Sequence, residues 1–315
     1  MILLLGRLDD PMIAYVCTCL LARKVDFLVI DPRHSPHQCA LTWTMEQGRM
    51  HGSLCYGRQE VALADIGSIY IRQLRRPPRS QQTPPPGQDQ TPQPFPLSRW
   101  LATFSENVPA LVVNRPSAVS SNLSKPYQQQ LIARHGFRVP RTRVTTLPAA
   151  VTRFYEECQG RVIYKSISHQ RSIVRRMTPG DLSRLAQVRY CPTQFQEYIA
   201  GIDIRVHTVG ERVFATEILS EATDYRYAGR EGARRAIRGI ELPAEVATRC
   251  LHLARGLDLM MSGIDLRRSP DGDYYCFEVN PAPAFIFYQT YTGQRIGDAL
   301  ADLLCQGMAC RKGDR

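Results

Sequence analysis

Met261-Ser-Gly-Ile-Asp265-Leu266-Arg-Arg-Ser-Pro-Asp-Gly272-Asp-Tyr-Tyr-Cys-Phe277-Glu278-Val279-Asn280-Pro281 reads as two short strands joined by a tight turn. Pro270 presets φ and Gly272 accepts a strained conformation, while Ile264, Leu266, Phe277 and Val279 alternate with polar neighbours. With Ser269 to Gly272 as the turn, Asp265 falls opposite Cys276. Period-two alternation then sets Asp265, Glu278 and Asn280 on one face and Phe277 and Val279 on the other. Two carboxylates and a carboxamide suit a hard divalent cation, and Mg²⁺ takes one or two carboxylates plus waters and nucleotide phosphates. Acidic residues on a half-exposed hairpin are also often merely solvated. The rest of the chain has to separate these readings.

Moving upstream, Leu242 to Leu257 has helical spacing, and Ile204 to Val209 with Arg212 to Leu219 form a hairpin around Gly210-Glu211. Gln194 to Ile199 and Arg161 to Lys165 read as strands, and Leu182 to Val188 as a helical stretch. Lys125 to His135 is an amphipathic helix ended by Gly136 and Val139-Pro140. Before Asn114 the pattern changes. Ile2 to Leu5 is a buried strand, Pro11 to Lys24 a helix, and Val25 to Ile30 a second strand, with further strands at Ile69 to Leu74 and Ala110 to Val113. Such a β-α-β opening belongs in a parallel sheet whose ligand edge lies at the strands' C-terminal ends. The G-x-G-x-x-G fingerprint is absent after the first strand, which speaks against a dinucleotide site there. The predicted fold class is α/β plus α+β, divided into 1–113, 114–305 and a basic tail at 306–315. Arg75 to Pro96 holds eight of the chain's 22 prolines and no aliphatic residue, so it is expected to be an exposed loop rather than core.

Across 315 residues the apolar share is 43%, enough for a substantial core in about two domains. The first ten residues carry Arg7, Asp9 and Asp10 and no basic lead-in, and no uncharged apolar run reaches membrane-spanning length. The expected location is the cytoplasm, with no membrane partner. Ten cysteines are scattered without a C-x-x-C pair, as buried thiols would be. A net charge of +11 favours anionic partners. The arginines form separate groups without an aromatic-interleaved stripe, so an acidic substrate fits better than nucleic acid. Nothing in the sequence fixes an oligomeric state.

Chemistry enters with the order of several polar elements. Lys125 starts a helix, and Lys165 ends a strand before the donor-rich run Ser166-Ile-Ser-His-Gln-Arg-Ser172. Gln196-Glu197-Tyr198-Ile199, Asp203-Ile-Arg205-Val206, Asp224-Tyr225-Arg226, Ile264-Asp265-Leu266 and Phe277-Glu278-Val279-Asn280-Pro281 follow. In this order they resemble the ATP-grasp superfamily, within it the RimK-type carboxylate–amine ligases and the related maturases of microviridin-like peptides (graspetides). The resemblance spans roughly Asn114 to Leu304, and the β-α-β opening resembles the pre-ATP-grasp domain that precedes a two-lobed ATP-grasp domain.

The resemblance implies an ADP-forming ligase that uses ATP and Mg²⁺, with Mn²⁺ as an alternative ion. It acts on a small molecule or peptide that carries a carboxylate. Lys125 and Lys165 would contact the phosphates, Glu197, Tyr198 and Ile199 would form the hinge that meets adenine, and Asp203 would hold the ribose. Asp265, Glu278 and Asn280 would hold the metal, and Arg205 and Arg226 would neutralise the transferring phosphate. Side-chain ester or amide formation on a precursor peptide, and phosphate transfer by a kinase of the same fold, are the alternative activities. Many members of that superfamily carry a glycine-rich lid after the second lysine, and Ser166 to Ser172 has no glycine.

Overall fold

The computed structural model describes residues 1–32, 38–72, 97–167, 174–220 and 235–313. The Pro-rich segment 75–96, Arg226, and most of the lid after Lys165 lie outside these residues.

The N-terminal unit contains β1 (Ile2–Leu5), α1 (Pro11–Ala22), β2 (Phe27–Ile30), β3 (Cys39–Glu46), β4 (Arg49–Tyr56), β5 (Gln59–Ala62), β6 (Ser68–Ile71), α2 (Leu97–Asn107) and β7 (Leu111–Val113). The expected parallel sheet forms in the order β2-β1-β6-β7. All four residues of β1 are fully buried, as a parallel strand covered on both faces requires. Asp10 caps α1 by accepting the Met12 N–H at 2.8 Å, with Pro11 at the first helical position. The antiparallel meander β3-β4-β5 packs with α2 on one face of the sheet.

The remainder comprises α3 (Lys125–Arg134), β8 (Thr142–Thr145), α4 (Pro148–Glu157), β9 (Val162–Ser166), β10 (Arg175–Arg176), α5 (Pro179–Leu182), β11 (Thr193–Glu197), β12 (Ile202–Val209), β13 (Arg212–Ser220), β14 (Arg235–Ile240), α6 (Ala244–Gly256), β15 (Met261–Arg268), β16 (Tyr274–Asn280), α7 (Ile286–Thr292) and α8 (Ile296–Gly313). Two antiparallel sheets result, β10-β9-β11-β8 and β14-β13-β12-β15-β16. The smaller encloses a core with α4 around Phe154 and Phe195, and the larger packs on α3 and α6 through Ile204, Val206, Ile264 and Val279. α8 continues to Gly313 through residues set apart above as the basic tail. Leu300 and Leu304 of α8 share one core with Ile2, Leu4, Ile13 and Met261, which joins the larger sheet to the N-terminal unit.

One predicted helix is corrected. Leu182 to Val188 is not a continuous α-helix: α5 ends at Leu182, and a 3₁₀ segment occupies Leu185–Tyr190. Leu182, Leu185 and Val188 recur every third residue, which is the 3₁₀ repeat rather than the 3.6 of an α-helix. Cys191-Pro192 follows at once and stops the segment.

Candidate active site

The cleft between the two antiparallel sheets is lined by Lys165, Gln196, Glu197, Tyr198, Ile199, Asp203, Asp265, Arg267 and Glu278, with Ile163, Val174, Leu266 and Phe277 supplying apolar wall. Seven of the residues selected from the sequence therefore meet in one place. Asn280 and Arg205 adjoin the lining, the first on the strand of Glu278 and the second bonded to Asp265, and Lys125, at the start of α3, is not part of the lining.

The hairpin reaches this arrangement by a different register from the one its sequence predicts. Asp265 pairs with Glu278, not Cys276. Arg268 pairs with Tyr274, which leaves five residues in the turn instead of four, and the ladder then shifts between Leu266↔Cys276 and Asp265↔Glu278. Phe277 is the unpaired residue of a β-bulge. Without it the longer turn would set Glu278 opposite Ile264, facing the core. With it, Glu278 stands directly across from Asp265, and Phe277 joins the cleft wall, contrary to the prediction that it faces away. Cys276 stays buried, and burial, with the nearby Cys250 next, pushes its thiol well above the usual range. It is no nucleophile.

The donor set fits a hard cation. Asp265 and Glu278 bring two carboxylates to one face, and the Asn280 amide oxygen, two pairs along on the same face, accepts the Ala282 N–H at 2.9 Å. Among the described residues no group of three His, Cys, Asp or Glu side chains could hold a metal by itself. A site with two carboxylates and an amide therefore needs phosphate oxygens or water to complete its shell.

On the opposite wall, Lys165 Nζ reaches Gln196 Oε1 at 3.4 Å, and Gln196 is oriented by donating to Thr142 Oγ1 at 3.1 Å. The Glu197 carboxylate turns to Arg141 at 3.2 Å, so the hinge would meet a ligand through its peptide groups. Asp203 is ion-paired to Arg267 at 2.7 Å. Arg205 is only 6% exposed, donates to Asp265 Oδ1 at 2.7 Å and lies 5.8 Å from the Tyr288 ring centroid. His207, two residues on, stacks edge-on to Tyr288 at 4.9 Å with Nε2 3.3 Å from the Ala284 carbonyl.

Several positioning groups escaped the sequence reading. Gln128, one turn after Lys125, donates to the Val279 carbonyl at 2.8 Å and accepts its N–H at 3.0 Å, which docks α3 against the edge of β16. Asn114 donates to the carbonyls of Met261 and Pro281 and accepts the N–H groups of Met260 and Met261. Arg72, buried at the end of β6, pairs with Asp10 and donates to the Ala282 carbonyl. Gln196 and Arg267 had a local signal, the first inside Gln196-Glu197-Tyr198-Ile199 and the second two residues from Asp265. The others did not, because their partners lie far away in sequence.

Residues 124–304, more than half of the chain, match the model of the RimK-like ATP-grasp domain. A probable alpha-L-glutamate ligase of Trichodesmium erythraeum (strain IMS101) is 24% identical over 214 residues, covering 63% of this chain and 69% of that protein. The solved ATP-grasp ligase PsnB, complexed with a phosphomimetic variant of minimal precursor, Mg and ADP, is similar with a TM-score of 0.78 and 26% identity over 98% of each chain. A RiPP-associated ATP-grasp ligase of Chryseobacterium gregarium, in complex with ADP and a leader and core peptide, gives 0.77 and 25% over 97% of this chain and 96% of that one.

Proposed function

Because the chain belongs to the RimK-like ATP-grasp family, we propose that this cleft binds Mg·ATP between its two sheets and joins a carboxylate to an amine on an amino-acid or peptide substrate. The observation that carries the reading is the convergence of Lys165, the 197–199 hinge, Asp203, Asp265 and Glu278 on one cleft. The apolar wall of Ile163, Ile199, Leu266 and Phe277 suits a flat ring, the hinge supplies peptide groups for the base, and Asp203 accepts from ribose hydroxyls. Lys125 and Lys165 act as point charges on phosphate oxygens.

Asp265, Glu278 and Asn280 would hold Mg²⁺, and Mn²⁺ suits the same oxygen donors. When bound, the ion supplies charge neutralisation to the phosphates. A substrate carboxylate oxygen attacks the γ-phosphorus and ADP leaves. The acyl phosphate is then attacked by the acceptor amine, which loses a proton as inorganic phosphate departs. No protein nucleophile is needed, because positioning and charge neutralisation lower the barrier. Arg205 holds the Asp265 carboxylate from behind, and Arg226 adds positive charge at the transferred phosphate.

The likeness to peptide-bound ligases extends over nearly the whole chain, N-terminal unit included, and the similarity to the glutamate ligase covers 63% of it. The likeness to ligases solved with bound peptides supports a peptide substrate, and the charge of +11 supports an acidic one. Side-chain ester formation on a precursor peptide follows the same steps with a hydroxyl as acceptor.

The test is release of ADP and phosphate from Mg·ATP together with intact-mass analysis, across pools of amino acids and acidic peptides. Loss of water on coupling is expected. A phosphate-sized gain on a stable acceptor would make the protein a kinase. Glu278→Ala is expected to abolish Mg²⁺-dependent turnover while circular dichroism stays unchanged, and retained turnover refutes the metal assignment.

A further inference from the structure

Arg267 lines the cleft and has no part in the reaction as described so far. It stands directly opposite Asp203 in the β12–β15 ladder, so both side chains share the cleft face. Its Nε and Nη2 both reach Asp203 Oδ1, at 2.8 and 2.7 Å, and its Nη1 donates to the Ile199 carbonyl at 2.8 Å. The guanidinium carbon lies 5.8 Å from the Tyr198 ring centroid and 5.4 Å from that of Phe277. One planar fork thus ties the hinge carbonyl, the carboxylate at the start of β12 and the aromatic residue of the bulge together. An ammonium, with one charge centre on a flexible stem, could not reach all of them at once.

We propose that Arg267 is a positioning residue that sets the sugar selectivity of the nucleotide site. It holds Asp203 aimed so that the carboxylate takes ribose hydroxyls, and it fixes the hinge relative to Asp203 so that a base and its ribose fit between them. The inference rests on the assignment of Asp203 to the ribose. A site built to bond a hydroxyl rejects the analogue that lacks it, because its own polar group is then left unpaired. Loss of Arg267 lets Asp203 swing into water, so the penalty on a deoxy sugar disappears along with the gain from ribose.

Calorimetric binding of Mg·ADP, Mg·2′-deoxy-ADP and Mg·3′-deoxy-ADP to the full chain reads this without a known substrate. Wild type should prefer Mg·ADP over at least one deoxy nucleotide by about tenfold or more. Arg267→Met should weaken Mg·ADP to the deoxy level and bring that ratio to about one, and Arg267→Lys should keep part of it. If Arg267→Met does not fold, Arg267→Lys carries the test and must lower the ratio by at least about threefold. An equal loss for all three nucleotides, with the ratio kept, assigns Arg267 a merely structural role and overturns the inference. Tight binding of Mg·ADP by wild type with no sugar preference overturns it too and leaves the nucleotide site standing. Absence of Mg·ADP binding to wild type overturns both.

Discussion

Gly263 sits on β15 between His207 of β12 and Asn280 of β16, and the Arg205 guanidinium lies across it. A Cβ on residue 263 would fall 2.0 Å from Arg205 Nη2, 2.6 Å from Cζ and 2.7 Å from Pro283 Cβ. Heavy atoms in contact need about 3.5 Å, so the guanidinium must retreat about 1.5 Å and Pro283 about 0.8 Å. A retreat of that size breaks the 2.7 Å bond between Arg205 and Asp265. Gly263→Ala should therefore lower kcat about 100-fold, the scale of a 1 Å misplacement near the reacting groups. The accompanying loss of stability should be about 1–3 kcal/mol, as for other overpacked sites. The assay is steady-state ADP release with the carboxylate substrate found by the mass screen, alongside urea unfolding. Because the added methyl acts through Arg205, Gly263→Ala combined with Arg205→Ala should be no slower than Arg205→Ala alone. A kcat within about threefold of wild type, or losses that add in the double variant, would refute the reasoning.

Two further outcomes concern the scaffold of the site. Gln128→Leu leaves the Val279 N–H and carbonyl unpaired in a buried strand edge and should cost about 2–4 kcal/mol, read as a lowered urea midpoint; an unchanged midpoint would show that α3 docks by apolar contact alone. Burial, and then the Arg205 charge, hold the His207 imidazole well below the usual histidine range. Below about pH 6.5 the unfolded chain thus takes up a proton that the folded chain refuses. Stability attributable to this residue should fall with decreasing pH by about 1.4 kcal/mol per unit until the folded imidazole titrates. The stability gap between wild type and His207→Gln should narrow by that slope from about pH 6.5 to about pH 5, and parallel pH profiles would show that His207 titrates normally.

Local signals carried the sequence reading as far as they reach. β1 is an unbroken apolar run, Asp10-Pro11 marks the start of α1, and Gly210-Glu211 turns a hairpin, so each could be read from a few adjacent residues. α8 escaped because Gly297 and Gly307 argue against a helix. In the fold Gly307 is where α8 rests on the parallel sheet, and a Cβ there would come 2.3 Å from Ser68 Oγ and 2.7 Å from Leu111 Cβ. The meander β3-β4-β5 escaped as well: β3 alternates, with Leu41 and Trp43 half-buried between exposed Ala40, Thr42 and Thr44, but Gly52 interrupts the pattern of β4 and β5 is only four residues long. Within the site, the cleft-lining residues were legible because their order resembles a family. Gln128, Asn114 and Arg72 were not, because each serves a backbone group more than 140 residues away.

The Phe277 bulge makes the hairpin behave like a combination lock with two dials, turn length and strand count. Whether a given letter in β16 serves chemistry or packing is decided by the number of residues between it and the turn, not by the letter alone. Pairing Phe277 with Asp265 would leave every acidic residue in the sequence and still drive Glu278 in opposite Ile264, while a turn one residue shorter without the bulge would turn it back toward the cleft. Turn length and bulge must therefore be inherited as a pair. A variant library that scans the 269–273 turn should recover function at lengths that differ by two and lose it at the length between.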